Sequence, residues 1–127
     1  MASKNFKVTL LQVEYARGDI GNDWIYDLNV DGATKHYPEH TLDPGRTEVL
    51  GDVIVTKVVS CPTTHYSFQV VIDVTEVDTF YNDLGSRTVR VNLPCQFTTK
   101  FDVTVDVAEN GGSGSASLKF YFEADFR

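Results

Sequence analysis

The chain is short of positive charge. Eleven Lys and Arg stand against 18 Asp and Glu in 127 residues, a formal net charge of −7. Polyanions are held by cationic patches, so the deficit excludes DNA, RNA and unaided attachment to anionic lipid. Long apolar runs are missing too, and none approaches the ~20 residues of a membrane-spanning helix. Helical spacing is absent: no window of a dozen residues repeats its apolar side chains at three and four. The start, Met1-Ala2-Ser3-Lys4-Asn5-Phe6, has no apolar stretch ahead of a cleavage site. The expectation is therefore a cytoplasmic protein without a signal peptide. Cysteine is scarce, with only Cys61 and Cys95, each beside a proline. The two could pair if their strands are neighbours, but without a signal peptide reduced thiols are the expectation, and the lack of Cys-x-x-Cys removes a zinc ribbon.

What is present is strand pattern. Apolar residues make up 42% of the chain, enough for one core, and the length fits a single domain over residues 1–127. Phe6, Val8 and Leu10 alternate with polar neighbours. The phase then slips at Leu10-Leu11 and resumes through Leu11, Val13 and Tyr15, as one extra residue in a bulge requires. Residues 66–74, 101–107 and 116–126 alternate cleanly, and residues 24–30, 33–36, 48–59 and 86–93 are shorter candidates. Asp31-Gly32 sits between two of these and reads as a tight hairpin turn. Eight strands with no helix between them predict an all-β antiparallel sandwich, two sheets over one core.

The acids are unevenly spread. Residues 17–32 and 73–83 hold eight of the 18, with Arg17 as their one base. Asp27 and Asp31 fall on a strand and its turn. Asp19, Asp23, Asp73, Glu76, Asp78 and Asp83 read as loop acids. Calcium takes six to eight hard oxygen ligands, which clustered carboxylates and backbone carbonyls supply. If the two loops meet at one end of the sandwich, they form a cation cup. The plainer reading is that Asp and Asn are good turn residues, solvated and separate.

This arrangement resembles a C2 domain, an eight-stranded sandwich that binds calcium between loops at one end. The resemblance rests on Asp19-Ile20-Gly21-Asn22-Asp23 after the first strand, on Glu76 to Gly85 after Asp73, and on the Gly- and Ser-rich stretch before the last strand. An immunoglobulin-like sandwich fits the strand count equally. The resemblance implies that Asp19 and Asp23 coordinate from one loop and that Glu76, Asp78 and Asp83 coordinate from another, with Asp73 as an extra acid. It also implies calcium-dependent contact with a membrane or protein, with Ile20, Phe80 and Tyr81 at the loop tips. Alternatively, Phe80 and Tyr81 tuck back under their loop. A different expectation is a metal-free module that self-associates through a sheet edge or apolar patch. No nucleophile constellation or phosphate loop appears, so the chain is expected not to be an enzyme. His36-Tyr37-Pro38-Glu39-His40 fits the H-x-x-E-H zinc string, but that chemistry needs a helix, which Pro38 breaks.

Overall fold

A computed structural model describes residues 2–127, with side chains from Ser3 onward. It contains eight strands: β1 (Ala2–Gly18), β2 (Asp23–Val30), β3 (Ala33–Thr41), β4 (Thr47–Cys61), β5 (His65–Glu76), β6 (Asp83–Pro94), β7 (Thr99–Ala108) and β8 (Ser115–Phe126). The fold is all-β and antiparallel, and none of the described residues is helical.

The strand order is β3-β2-β5-β6-β7-β8-β1-β4. The expected two sheets are thus halves of one nearly closed sheet. Between β6 and β7 the ladder narrows to one pair, Leu84 and Ala108. Gly85 lies at this crossing, and a Cβ there would strike the Asp106 carbonyl and the Val107 side chain. Its missing side chain is what lets β6 approach β7.

The period-two reading of the chain holds. Phe68, Val70, Ile72 and Val74 of β5 are buried, while Ser67, Gln69 and Asp73 are exposed. Register shifts fall between Leu10 and Gln12 against both neighbours of β1, where the sequence pattern slips. Asp31 and Gly32 adopt φ of 51° and 88°, the left-handed pair of a tight hairpin. Rings interlock through the core: Tyr26 meets Phe120 at 5.0 Å, Phe6 meets Phe68 at 5.1 Å, and Tyr15 meets Trp24 edge-on at 5.1 Å.

The expectation of reduced cysteines is corrected. Cys61 and Cys95 are joined in a disulfide, with Cα atoms 6.5 Å apart. The pairing is within reach because β4 ends where the β6–β7 connection begins. Both residues are buried.

Odd-numbered strands run one way and even-numbered strands the other. Every connection that follows an odd strand therefore lies at the same end. These are residues 19–22, 42–46, 77–82 and 109–114. Strand parity alone brings both acidic segments together.

Candidate metal centre

Glu76 continues the inward series of β5, and after Phe68, Val70, Ile72 and Val74 the next core-facing residue is this carboxylate. Asp83 opens β6 directly opposite, in register with Glu76. Glu76 is 3% exposed and Asp83 1%. Like charges directly across a ladder repel, and burial amplifies the cost.

Asp78 stands on the β5–β6 loop above them. Its amide N–H donates to Asn82 Oδ1 at 3.1 Å, and its own Oδ1 accepts from the Thr79 N–H at 2.8 Å. These bonds shape the loop so that one carboxylate oxygen each of Glu76, Asp78 and Asp83 falls within 4.8 Å of the others. Asp83 is held from the far side by the Asn110 N–H, which donates to Oδ1 at 2.7 Å. Its other oxygen, Oδ2, is buried and has no hydrogen-bond partner among the described residues. Leaving such an atom unsatisfied costs about 1–3 kcal/mol, and more for a charged group.

The electrostatics agree with the geometry. Burial, followed by the charges of Asp83, Asp78 and Asp23, pushes the Glu76 carboxyl up to about 7. Gly21 forms the roof. Its φ is +144°, and a Cβ there would run into the Glu76 carboxylate. The β1–β2 loop can cover Glu76 because this residue has no side chain.

The other sequence candidates divide. Asp23 borders the cluster: its carbonyl accepts the Val77 N–H at 2.8 Å, which fastens the two acidic loops to each other. Its side chain accepts instead from Thr41 Oγ1 at 3.1 Å. Asp19 is exposed on the β1–β2 loop and outside the triad. Of the six acids read as loop residues, Asp23, Glu76 and Asp83 are corrected to strand ends and Asp73 to the interior of β5. Asp73 lies three positions before Glu76, hence on the opposite, outward face, where Ser86 Oγ donates to it at 2.7 Å. Ile20 is half-buried against the core, and its N–H donates to the Tyr15 hydroxyl at 3.2 Å. Phe80 and Tyr81 do not tuck back, being 87% and 66% exposed.

The zinc string lies on β3. Four positions along a strand separate its two His by ~13 Å, so they do not share one ion. His36 Nδ1 instead meets Asp27 Oδ1 at 2.6 Å.

The contact that sequence reasoning missed is Asn110. It acts through a backbone N–H from the β7–β8 loop, 27 positions from Asp83, and a main-chain donor leaves no mark in a residue pattern.

Chemically, two buried carboxylates with a third above them have two ways to relieve their repulsion. They share a proton, or they hold a cation. Oxygen-only donors suit a hard ion such as calcium or magnesium rather than a thiophilic one. No protein-family model and no curated protein matches the chain.

Proposed function

We propose that the end of the sandwich carrying Glu76, Asp78 and Asp83 binds a divalent cation, calcium by preference. The chain would then act as a C2-like binding module rather than an enzyme. The observation that carries this reading is the buried Asp83 carboxylate: one of its oxygens lies within ligand spacing of two further carboxylates, and its Oδ2 has no hydrogen-bond partner among the described residues. A flexible, carboxylate-rich oxygen set favours calcium over magnesium, which keeps its waters and demands strict octahedral geometry. Glu76, Asp78 and Asp83 would be the ligands, with Asp23 and Asp19 adding negative potential at the rim. Cation binding would neutralise the loop end beneath Phe80 and Tyr81. Their exposed rings would then meet a membrane or protein surface without a repelling charge behind them.

Isothermal titration with calcium tests this. Wild type should bind, and Asp83→Asn should weaken binding at least tenfold, because the amide both removes charge and places a donor at the site. Equal affinity in the two proteins would reject this ligand set.

The second reading, a self-associating module, draws on the exposed Val49, Val53 and Val58 along edge strand β4. Against it, Glu48, Asp52 and Lys57 interrupt the same strand, and charged residues on an edge discourage edge-to-edge pairing. On location, the Cys61–Cys95 bond favours an oxidising compartment over the expected cytoplasm.

A further inference from the structure

Strands β3 and β4 are the two ends of the strand order, and no backbone ladder joins them. The nearly closed sheet therefore has a seam. Among the described residues three side-chain bridges cross it. Lys57 Nζ lies 2.8 Å from Asp31 Oδ2 and donates to the Asp31 carbonyl at 2.9 Å. The Tyr37 hydroxyl donates to Asp52 Oδ2 at 2.7 Å. His40 Nε2 lies 3.0 Å from Glu48 Oε2.

The third bridge has a property the other two lack. His40 Nδ1 lies 2.8 Å from the Pro38 carbonyl, which can only accept, so Nδ1 carries a hydrogen. In the neutral ring the remaining nitrogen, Nε2, is then a bare acceptor. It faces a carboxylate oxygen, also an acceptor. Neutral His40 and ionised Glu48 would thus hold two lone pairs 3.0 Å apart. The contact is an attraction only when a proton is added to the pair. It is charge contact more than an aligned hydrogen bond, since Nε2 has no well-directed partner.

We propose that the β3/β4 seam is a protonation-dependent latch, closed while the His40–Glu48 pair holds its extra proton and loosened when that proton leaves. The groups around it are of one kind. From β2, the buried Tyr26 ring stands edge-on to His40 at 4.8 Å. From β4 come Glu48 and Asp52, and from β3 itself Tyr37 and Glu39. None of these is a cation. The side chains of His40 and Glu48 are 28% and 18% exposed, open enough for protons to exchange and enclosed enough for the charge to matter. Burial is the largest influence on the Glu48 carboxyl and lifts it, with His40 and then Tyr26 opposing the rise only in part.

The test pairs two measurements on the intact protein. Long-range 1H–15N spectra follow the His40 ring nitrogens with pH, and hydrogen exchange gives protection factors for the β3 amides across the same range. As His40 loses its proton, those protection factors should fall about tenfold or more, the scale of one lost charged contact, with the midpoint of the ring titration. Glu48→Gln supplies an amide donor to the neutral ring, so its β3 protection should no longer change across that midpoint. Two results would overturn the latch. One is a neutral His40 carrying its hydrogen on Nε2. The other is β3 protection that ignores the His40 midpoint in wild type, or that still follows it in Glu48→Gln.

Discussion

Glu76→Gln is expected to stabilise the metal-free protein and to abolish its response to calcium. The two effects have opposite signs because one carboxylate causes both. Without a cation, Glu76 faces Asp83 across the ladder and feels Asp78 and Asp23. Its carboxyl is raised from 4.5 to about 7. A carboxyl raised in the folded state binds its proton there more tightly than in the unfolded chain. Between pH 4.5 and 7 the native state thus holds more protons, and stability falls as pH rises through that window. At 1.36 kcal/mol per unit, the loss approaches about 3 kcal/mol by pH 8. Gln cannot ionise and removes that loss. Urea unfolding in EGTA at pH 5 and pH 8 should show wild type losing stability and Glu76→Gln losing about 2–3 kcal/mol less. With calcium the wild-type slope should reverse, since the bound ion favours the ionised carboxylates. A variant no more stable than wild type at pH 8 in EGTA would mean that Glu76 and Asp83 do not repel.

Reducing the Cys61–Cys95 bond is expected to cost about 4 kcal/mol. The bond closes a loop of 34 residues of separation, and the chain-entropy relation gives that figure for such a loop. It ties the end of β4 to the start of the β6–β7 connection, opposite the acidic loops. The loss should therefore appear in global stability and not in calcium affinity. Comparing Cys61→Ala/Cys95→Ala with wild type by urea unfolding checks the first, and calcium titration checks the second. A loss below about 1 kcal/mol would show that the strands hold this end together without the bond.

Much of this fold is legible along the chain because strands write their burial at period two. The slip at Leu10-Leu11 marks a bulge that both neighbours of β1 share. Asp31-Gly32 marks its hairpin, since few other pairs accept two left-handed residues. The joining of the acidic loops follows from parity once the strands are counted. Other features are written in three dimensions only. Asp73 reads as a loop acid until its phase against Val74 and Glu76 shows that it faces outward on β5. Glu76 and Asp83 share one local composition with Asp78, yet only the ladder register reveals them as buried partners. The disulfide joins residues 34 apart whose spacing carries no signature, and the Asn110 contact uses a backbone group.

The most direct test of the account is the melting temperature in excess EGTA against millimolar calcium. A ligand at 100 times its dissociation constant adds about 2.7 kcal/mol, and for a domain of this size that raises the midpoint by roughly 10 °C. Such a rise is expected in wild type, and its loss in Asp83→Asn. An unchanged midpoint in wild type, or a rise that persists in Asp83→Asn, would contradict the account.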